Sequence, residues 1–274
     1  VIMCGMSAVF SALFGTPLTA VIFAIEVISV GIMYYSALIP CTAAALVAYG
    51  ITRCFHIEPT HFNIASVPGV GLVSIGQTAV IAVLCAVLSI IFCMMLHSVE
   101  KGFRKYIKNG YLRIAVGGII IVGLTLLSGT QDYNGAGTAV IADAIAGKAK
   151  SYAFIMKMIF TAITIGAGYK GGEIVPTFFV GAVFGCTAAS FIGMDPGFGA
   201  AVGMIGMFCG MLNCPVASII LSIELFGGEG MILFAIAAGI SYMLSGYYGL
   251  YHSQKIMYSK VKAEYINKTA KEVL

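Results

Sequence analysis

The run GGEIVP, residues 171–176, places a glutamate between two glycines and a proline that opens an apolar stretch over 176–192. Glycine lets the backbone bend and proline fits a helix's first turn, so the spacing describes a helix that begins within apolar surroundings. Such a helix aims free N–H groups and the positive end of its dipole at whatever lies before it, which makes an anion site that needs no lysine. Amides hold an anion without the deep well of a full positive charge, so the anion can leave again. An ordinary Gly-Pro turn accounts for the same letters. Glu173 adds three roles to weigh: competing with an anion for those N–H groups, carrying a proton when neutral, or plainly capping the helix.

Two further glutamates share a phrase. GTPLTAVIFAIEV (15–27) and NCPVASIILSIEL (213–225) each carry a proline, an apolar run and a glutamate nine residues after the proline. At the helical rise, Glu26 and Glu224 lie about 13 Å along helices that Pro17 and Pro215 begin. Carboxylates in apolar runs are expensive and point to function, yet one near a helix end can equally reach the interface or cap a neighbour. Both readings stay open for these two. Sliding residues 3–26 onto 201–224 gives seven identities in 24 positions, among them Gly5 with Gly203, Phe10 with Phe208, Pro17 with Pro215 and Glu26 with Glu224. Glycine, proline and glutamate matching in one register indicate a duplication with a period of 198 residues, the way many transporter folds are built. Subtracting that period from Glu173 gives a position before Val1, so the first repeat's counterpart of GGEIVP is expected to lie outside this sequence.

The elements that must hold these residues are membrane helices. The chain is 60% hydrophobic and 9% charged with mean hydropathy +1.01, whereas roughly a quarter of the residues in soluble domains are charged. Runs such as TAVIAVLCAVLSIIFCMML (78–96) are long enough to cross a bilayer. The expected fold is all-α and polytopic, with helical segments near 1–14, 17–34, 36–53, 77–97, 112–128, 152–167, 176–192, 199–212, 215–226 and 231–248. Several are too short to span alone, and interrupted helices at membrane depth survive only where their backbone is buried in protein or lines a cavity. The 34 glycines suit close helix approach.

Charge sets orientation. Lys101, Arg104, Lys105, Lys108 and Arg113 cluster in one connector, and Lys255, Lys260, Lys262, Lys268 and Lys271 fill the tail, so both face the cytoplasm by the positive-inside rule. Residues 255–274 read as a polar, partly amphipathic helix outside the bilayer. The chain then divides into 1–100, the later part of a first repeat; 101–254, a second repeat; and the cytoplasmic tail. It opens at Val1 within an apolar run without a basic leader, which suggests truncation rather than a signal peptide. The net charge of +4 does not point to nucleic acid. Eight cysteines without a CxxC pair suggest neither zinc nor a disulfide framework, and HIEPTH (56–61) lacks the helical spacing of a metal site. Neither HExxH nor GxSxG occurs, so a membrane-embedded enzyme is the weaker class, and no cofactor is expected.

At these motifs the chain resembles the CLC family of chloride channels and chloride/proton antiporters. GGEIVP resembles the family's GxFxP-type anion-binding motif, and the two proline phrases resemble its paired proline-helix segments. NGAGTAVIADAIAG (134–147) resembles the stretch before that motif's helix, and SGYYGLYHSQKI (245–256) resembles the segment bearing the pore tyrosine, at Tyr251. The likeness runs from residue 1 to about 265. It implies an inverted-repeat helical fold with broken half-helices, and a homodimer in the cell membrane with one pore per subunit. It also implies a dehydrated chloride or fluoride ion held at Gly172, Glu173, Ile174 and Val175 with the Tyr251 hydroxyl.

The departures matter as much. The family's GSGIP-type and GxEGP-type motifs belong to a part this sequence does not contain, so a partial, non-functional fragment is the alternative reading. Val27 stands where the antiporters' cytoplasmic proton glutamate falls. Glu173 resembles the fluoride-exporting branch, which often has threonine where this chain has Val175. The resemblance therefore implies halide transport, leaning to fluoride/proton antiport with Glu173 as the proton carrier.

Overall fold

The computed structural model describes residues 1–57, 59–251, 253–262 and 264–270. Glu58 of HIEPTH, His252 beside Tyr251, Ala263 and the tail's end with Lys271 lie outside the described residues. In chain order the helices are α1 (Ile2–Phe14), α2 (Pro17–Glu26), α3 (Leu38–Cys54), α4 (Leu72–Tyr106), α5 (Gly110–Ser128), α6 (Thr138–Ile145), α7 (Ala153–Gly166), α8 (Ile174–Ile192), α9 (Pro196–Leu212), α10 (Pro215–Phe226) and α11 (Met231–Leu244). Segments Tyr35–Cys54, Leu72–Tyr106, Gly110–Ser128 and Ile174–Ile192 are long and apolar enough to cross a membrane. The remaining helices, at 8 to 17 residues, are shorter than a bilayer is thick.

The fold is organised around α9, which is buried on every side from Gly197 to Leu212. A helix apolar all round needs neighbours all round. α8 comes closest, and glycines make that possible: a Cβ on Gly203 would stand 2.3 Å from the Gly181 carbonyl oxygen, and one on Gly185 2.2 Å from that of Gly199. Packing this tight transmits any added volume into backbone. Gly203→Ala is therefore expected to destabilise the protein by about 1–3 kcal/mol, read as a lower unfolding midpoint in detergent.

The duplicated phrase has one backbone shape. α1 ends on Gly15 at φ 69 and α9 on Asn213 at φ 59, both left-handed, and each donates its N–H to a carbonyl four residues back, Ser11 and Cys209. Thr16 (φ −117, ψ 76) and Cys214 (φ −120, ψ 76) follow with matching angles before Pro17 and Pro215 start the next helices. Phe10 and its counterpart Phe208 face each other with ring centroids 6.3 Å apart, as equivalent residues do beside a pseudo-two-fold axis.

Four sequence expectations change. The helix read over 17–34 stops at Glu26, and Ser29–Val30 form a short strand, β1. Residues 138–145, not read as a helix, form α6, capped by Gly137 in a left-handed conformation at φ 71. The boundary drawn between residues 100 and 101 falls inside the continuous α4. Among its described residues the tail holds two strands in place of the expected helix, Lys255–Tyr258 (β2) and Tyr265–Thr269 (β3), in a sheet of order β1-β2-β3, parallel then antiparallel. Ile256 supplies the reason, since it buries completely against Val30 and Ala270 in a small core of its own.

Candidate functional site

Gly172, Glu173, Ile174, Val175 and Tyr251 all line one cavity of about 750 Å³. The segment feeding it, Ala167 to Gly172, is shaped by Gly168 at φ 103, a conformation that favours glycine. Arg113 packs beside it, its Nε donating to the Ala167 carbonyl at 3.1 Å, and the Tyr169 hydroxyl donates to the Ile114 carbonyl at 3.0 Å. The left-handed residue is thus Gly168. Gly171 and Gly172 leave space open, with nothing within 4 Å of where a Cβ would stand.

α8 then starts at Ile174. Among the described residues, no acceptor takes the N–H of Gly172, Ile174 or Val175, and all three residues line the cavity. The Glu173 side chain makes no capping bond, while its carbonyl accepts from the Thr177 N–H and hydroxyl at 3.2 and 2.9 Å. A plain capping role for Glu173 is therefore not what the geometry provides. Its half-buried carboxylate lines the large cavity and also a second one of about 260 Å³, whose walls include His97, Glu100 and Tyr251.

Two of the proline-led helices, α2 and α10, show what fills such a start. The Glu224 carboxylate accepts from Leu18 and Thr19 N–H at 3.0 and 2.8 Å, at the start of α2. Glu26 accepts from Val216 and Ala217 N–H at 3.0 and 2.8 Å, at the start of α10. Each repeat's glutamate seals the other repeat's helix, which settles the alternative left open for both: they are caps. A carboxylate is a tethered anion, so α2 and α10 carry covalently attached examples of what the open start of α8 can hold loosely.

Several functional neighbours escaped the sequence reading. Phe10 and Phe14 of α1 and Phe23 of α2 form the cavity's apolar wall, and Phe14 meets Phe178 of α8 edge-on at 5.3 Å. Their spacing marked a buried helix face but not which cavity it would border. Arg104, Arg113 and Lys170 stand at the same cavity, so its lining is not free of cations; Arg104 pairs with Glu100 at 2.7 Å. Lys157, 1% exposed, donates to the Tyr133 and Gly135 carbonyls at 3.0 and 2.6 Å and so fixes the loop before α6. A lysine inside the run AFIMKMIFTAITIG was the available signal for it. Val27, 3% exposed, donates its N–H to the Phe23 carbonyl at 2.9 Å and accepts from the Gln254 side-chain amide at 2.8 Å.

Comparison with known proteins follows the same lines. Residues 1–246 match the family model described as voltage gated chloride channel. A chloride/fluoride channel protein of Pseudomonas syringae pv. tomato is 33% identical over 266 residues, covering 95% of this chain and 59% of that protein. An H(+)/Cl(-) exchange transporter ClcA of Yersinia pestis is 24% identical over 245 residues, 84% of this chain and 51% of its own length. Among solved structures, a CLC-type fluoride/proton antiporter superposes with a TM-score of 0.89 at 28% identity, over 93% of this chain and 65% of that one. A eukaryotic CLC transporter shares the fold, with a TM-score of 0.69 at 20% identity. The chain thus spans roughly half to two-thirds of the length of the relatives it matches.

Proposed function

Because the chain belongs to the voltage-gated chloride channel family, the CLC family, we propose that it forms the part of an integral membrane transporter that binds and passes a small halide. The observation that carries this is the open first turn of α8. Gly172, Ile174 and Val175, whose N–H groups no described acceptor takes, line a cavity that Tyr251 also lines, while the starts of α2 and α10 are closed by carboxylates. A partly dehydrated chloride or fluoride ion there exchanges its water for main-chain dipoles and the Tyr251 hydroxyl. The ion is held without a fixed charge in contact, and so it is released.

Fluoride is the favoured substrate and proton exchange the favoured mode. Glu173 supports both: it is a carboxylate beside the anion's amides, untied by any capping bond, and able to carry a proton. Relatives described as a chloride/fluoride channel and a fluoride/proton antiporter support the same choice. The working unit is a homodimer in the cell membrane with the tail in the cytoplasm, the side to which the basic residues around the α4–α5 junction, the end of α4 and the start of α5 rather than a separate connector, assign it.

The test is anion efflux from proteoliposomes, read with fluoride and chloride electrodes while a dye follows protons. Fluoride leaving with counter-movement of protons is expected, and chloride movement with fluoride excluded overturns the fluoride assignment. Tyr251→Ala, which removes the hydroxyl and widens the constriction, is expected to bring the fluoride-to-chloride rate ratio about tenfold closer to one. An unaltered ratio would take Tyr251 out of the site.

A further inference from the structure

Tyr251 lies in a connector, not in a helix, so something must fix it. The backbone ties on both sides of it lead to one polar cluster. Before it, the Asn213 side-chain amide donates to the Tyr248 carbonyl at 3.1 Å and the Leu250 N–H donates to the Met211 carbonyl at 2.9 Å. After it, the Gln254 N–H donates back to the Tyr251 carbonyl at 3.0 Å. The fully enclosed Gln254 side chain donates to the Val27 and Leu212 carbonyls, both at 2.8 Å, and accepts from the Asn213 amide at 2.9 Å. Gly249 passes so close that a Cβ there would stand 2.8 Å from the Gln254 oxygen.

The charged member of this cluster comes from the tail. Lys260, on the turn between β2 and β3, donates its ammonium to the Asn213 side-chain oxygen, to the Tyr242 carbonyl at 2.9 Å and to the Ser245 hydroxyl at 3.0 Å. It also lies over the Tyr242 ring at 4.6 Å from the centroid. Lys260 therefore sits where α9 and α11 both end, and helix C-termini favour a cation. Strand pairing holds it there: the Lys255 N–H donates to the Ile28 carbonyl and the Ala270 N–H to the Gln254 carbonyl.

We propose that Lys260 is a positioning residue for the anion constriction, acting through Asn213 and Gln254 to set where the Tyr251 hydroxyl stands. The proposal rests on the halide-transport reading above. It makes the tail hairpin a working part of the selectivity device, so that whatever displaces the hairpin loosens the constriction. Lys260 touches no ion; it orients the amide of Asn213, and Asn213 orients the segment that carries the tyrosine.

Two variants and two readouts test it in the full protein. Lys260→Met keeps the apolar stem and removes the donors. Asn213→Asp keeps the left-handed cap and the acceptor for Lys260 but removes the donor to Gln254 and Tyr248. Each is expected to bring the fluoride-to-chloride efflux ratio about threefold or more closer to one. Each is also expected to speed hydrogen exchange at Leu250 and Gln254 about tenfold, with α8 and α9 unchanged. Lys260→Arg, which restores a cation with several donors, should recover most of the ratio. A ratio and a 248–256 exchange rate that stay at wild-type values in either variant overturn the proposal, even if that variant melts earlier. Wild-type protein that moves no halide would instead sink the transport reading, and exchange at 248–256 alone would then decide whether Lys260 positions Tyr251.

Discussion

Glu173→Gln is expected to abolish proton movement coupled to anion efflux, lowering proton flux by about a hundredfold, the scale on which removing a positioned proton carrier acts. Glutamine keeps the length, the dipole and a donor for a nearby anion, but it cannot take up and release a proton. Because the Glu173 side chain makes no capping bond, the substitution leaves α8 with the backbone hydrogen bonds it already has. Its stability should change by less than about 0.5 kcal/mol. Fluoride should still bind, and any flux that remains becomes uncoupled. Measuring both ions in the same liposomes separates this from a folding defect, which would reduce them together. Unchanged proton coupling would remove Glu173 from the proton role altogether.

Glu26→Ala should be the most destabilising single change in the repeat interface. The carboxylate is 7% exposed and accepts two N–H groups at the start of α10. Deleting it leaves the buried Ala217 donor and the partly buried Val216 donor without a partner, at a cost of about 2–4 kcal/mol. Glu26→Gln retains one acceptor oxygen and should cost about 1–2 kcal/mol. Glu224→Ala removes the reciprocal cap on α2, where the Leu18 contact is exposed, and should cost about 1 kcal/mol. Unfolding midpoints in detergent give the order, with Glu26→Ala lowest. Equal midpoints for Glu26→Ala and wild type would show that the two repeats are not fastened in this way.

How far these roles could be read in advance varied with how local their causes are. The two proline phrases were legible because their period, their proline and their glutamate are facts of one short stretch, and the structure gives both the same φ and ψ. Their capping role was not, since each partner lies in the other repeat. GGEIVP marked the start of α8 to within two residues, at Ile174 rather than Pro176. Gly168, which stops α7 in a left-handed conformation, was not singled out, nor was Arg113, which packs against it from far along the chain. The tail failed for a similar reason. KIMY and YINKT alternate too briefly to outweigh a lysine-rich helical pattern, and the outer partner of KIMY, Ser29 and Val30, lies far away in sequence. Lys260 looked like one more cytoplasmic charge, and only the folded chain brings it to the ends of α9 and α11.

The account stands on main-chain donors at the start of α8, and nitrogen-15 resonances report on them directly. Fluoride and chloride would be titrated into protein labelled at glycine and isoleucine, following the amides of Gly172 and Ile174. The same titration would be run on a variant with Arg104, Arg113 and Lys170 all changed to glutamine, which removes the cations around the cavity. The prediction is a saturable shift at both amides that survives in the variant, with affinity weakened no more than about tenfold by the lost field. Amides that stay still while halide is transported, or shifts that vanish once the three cations are gone, would contradict it.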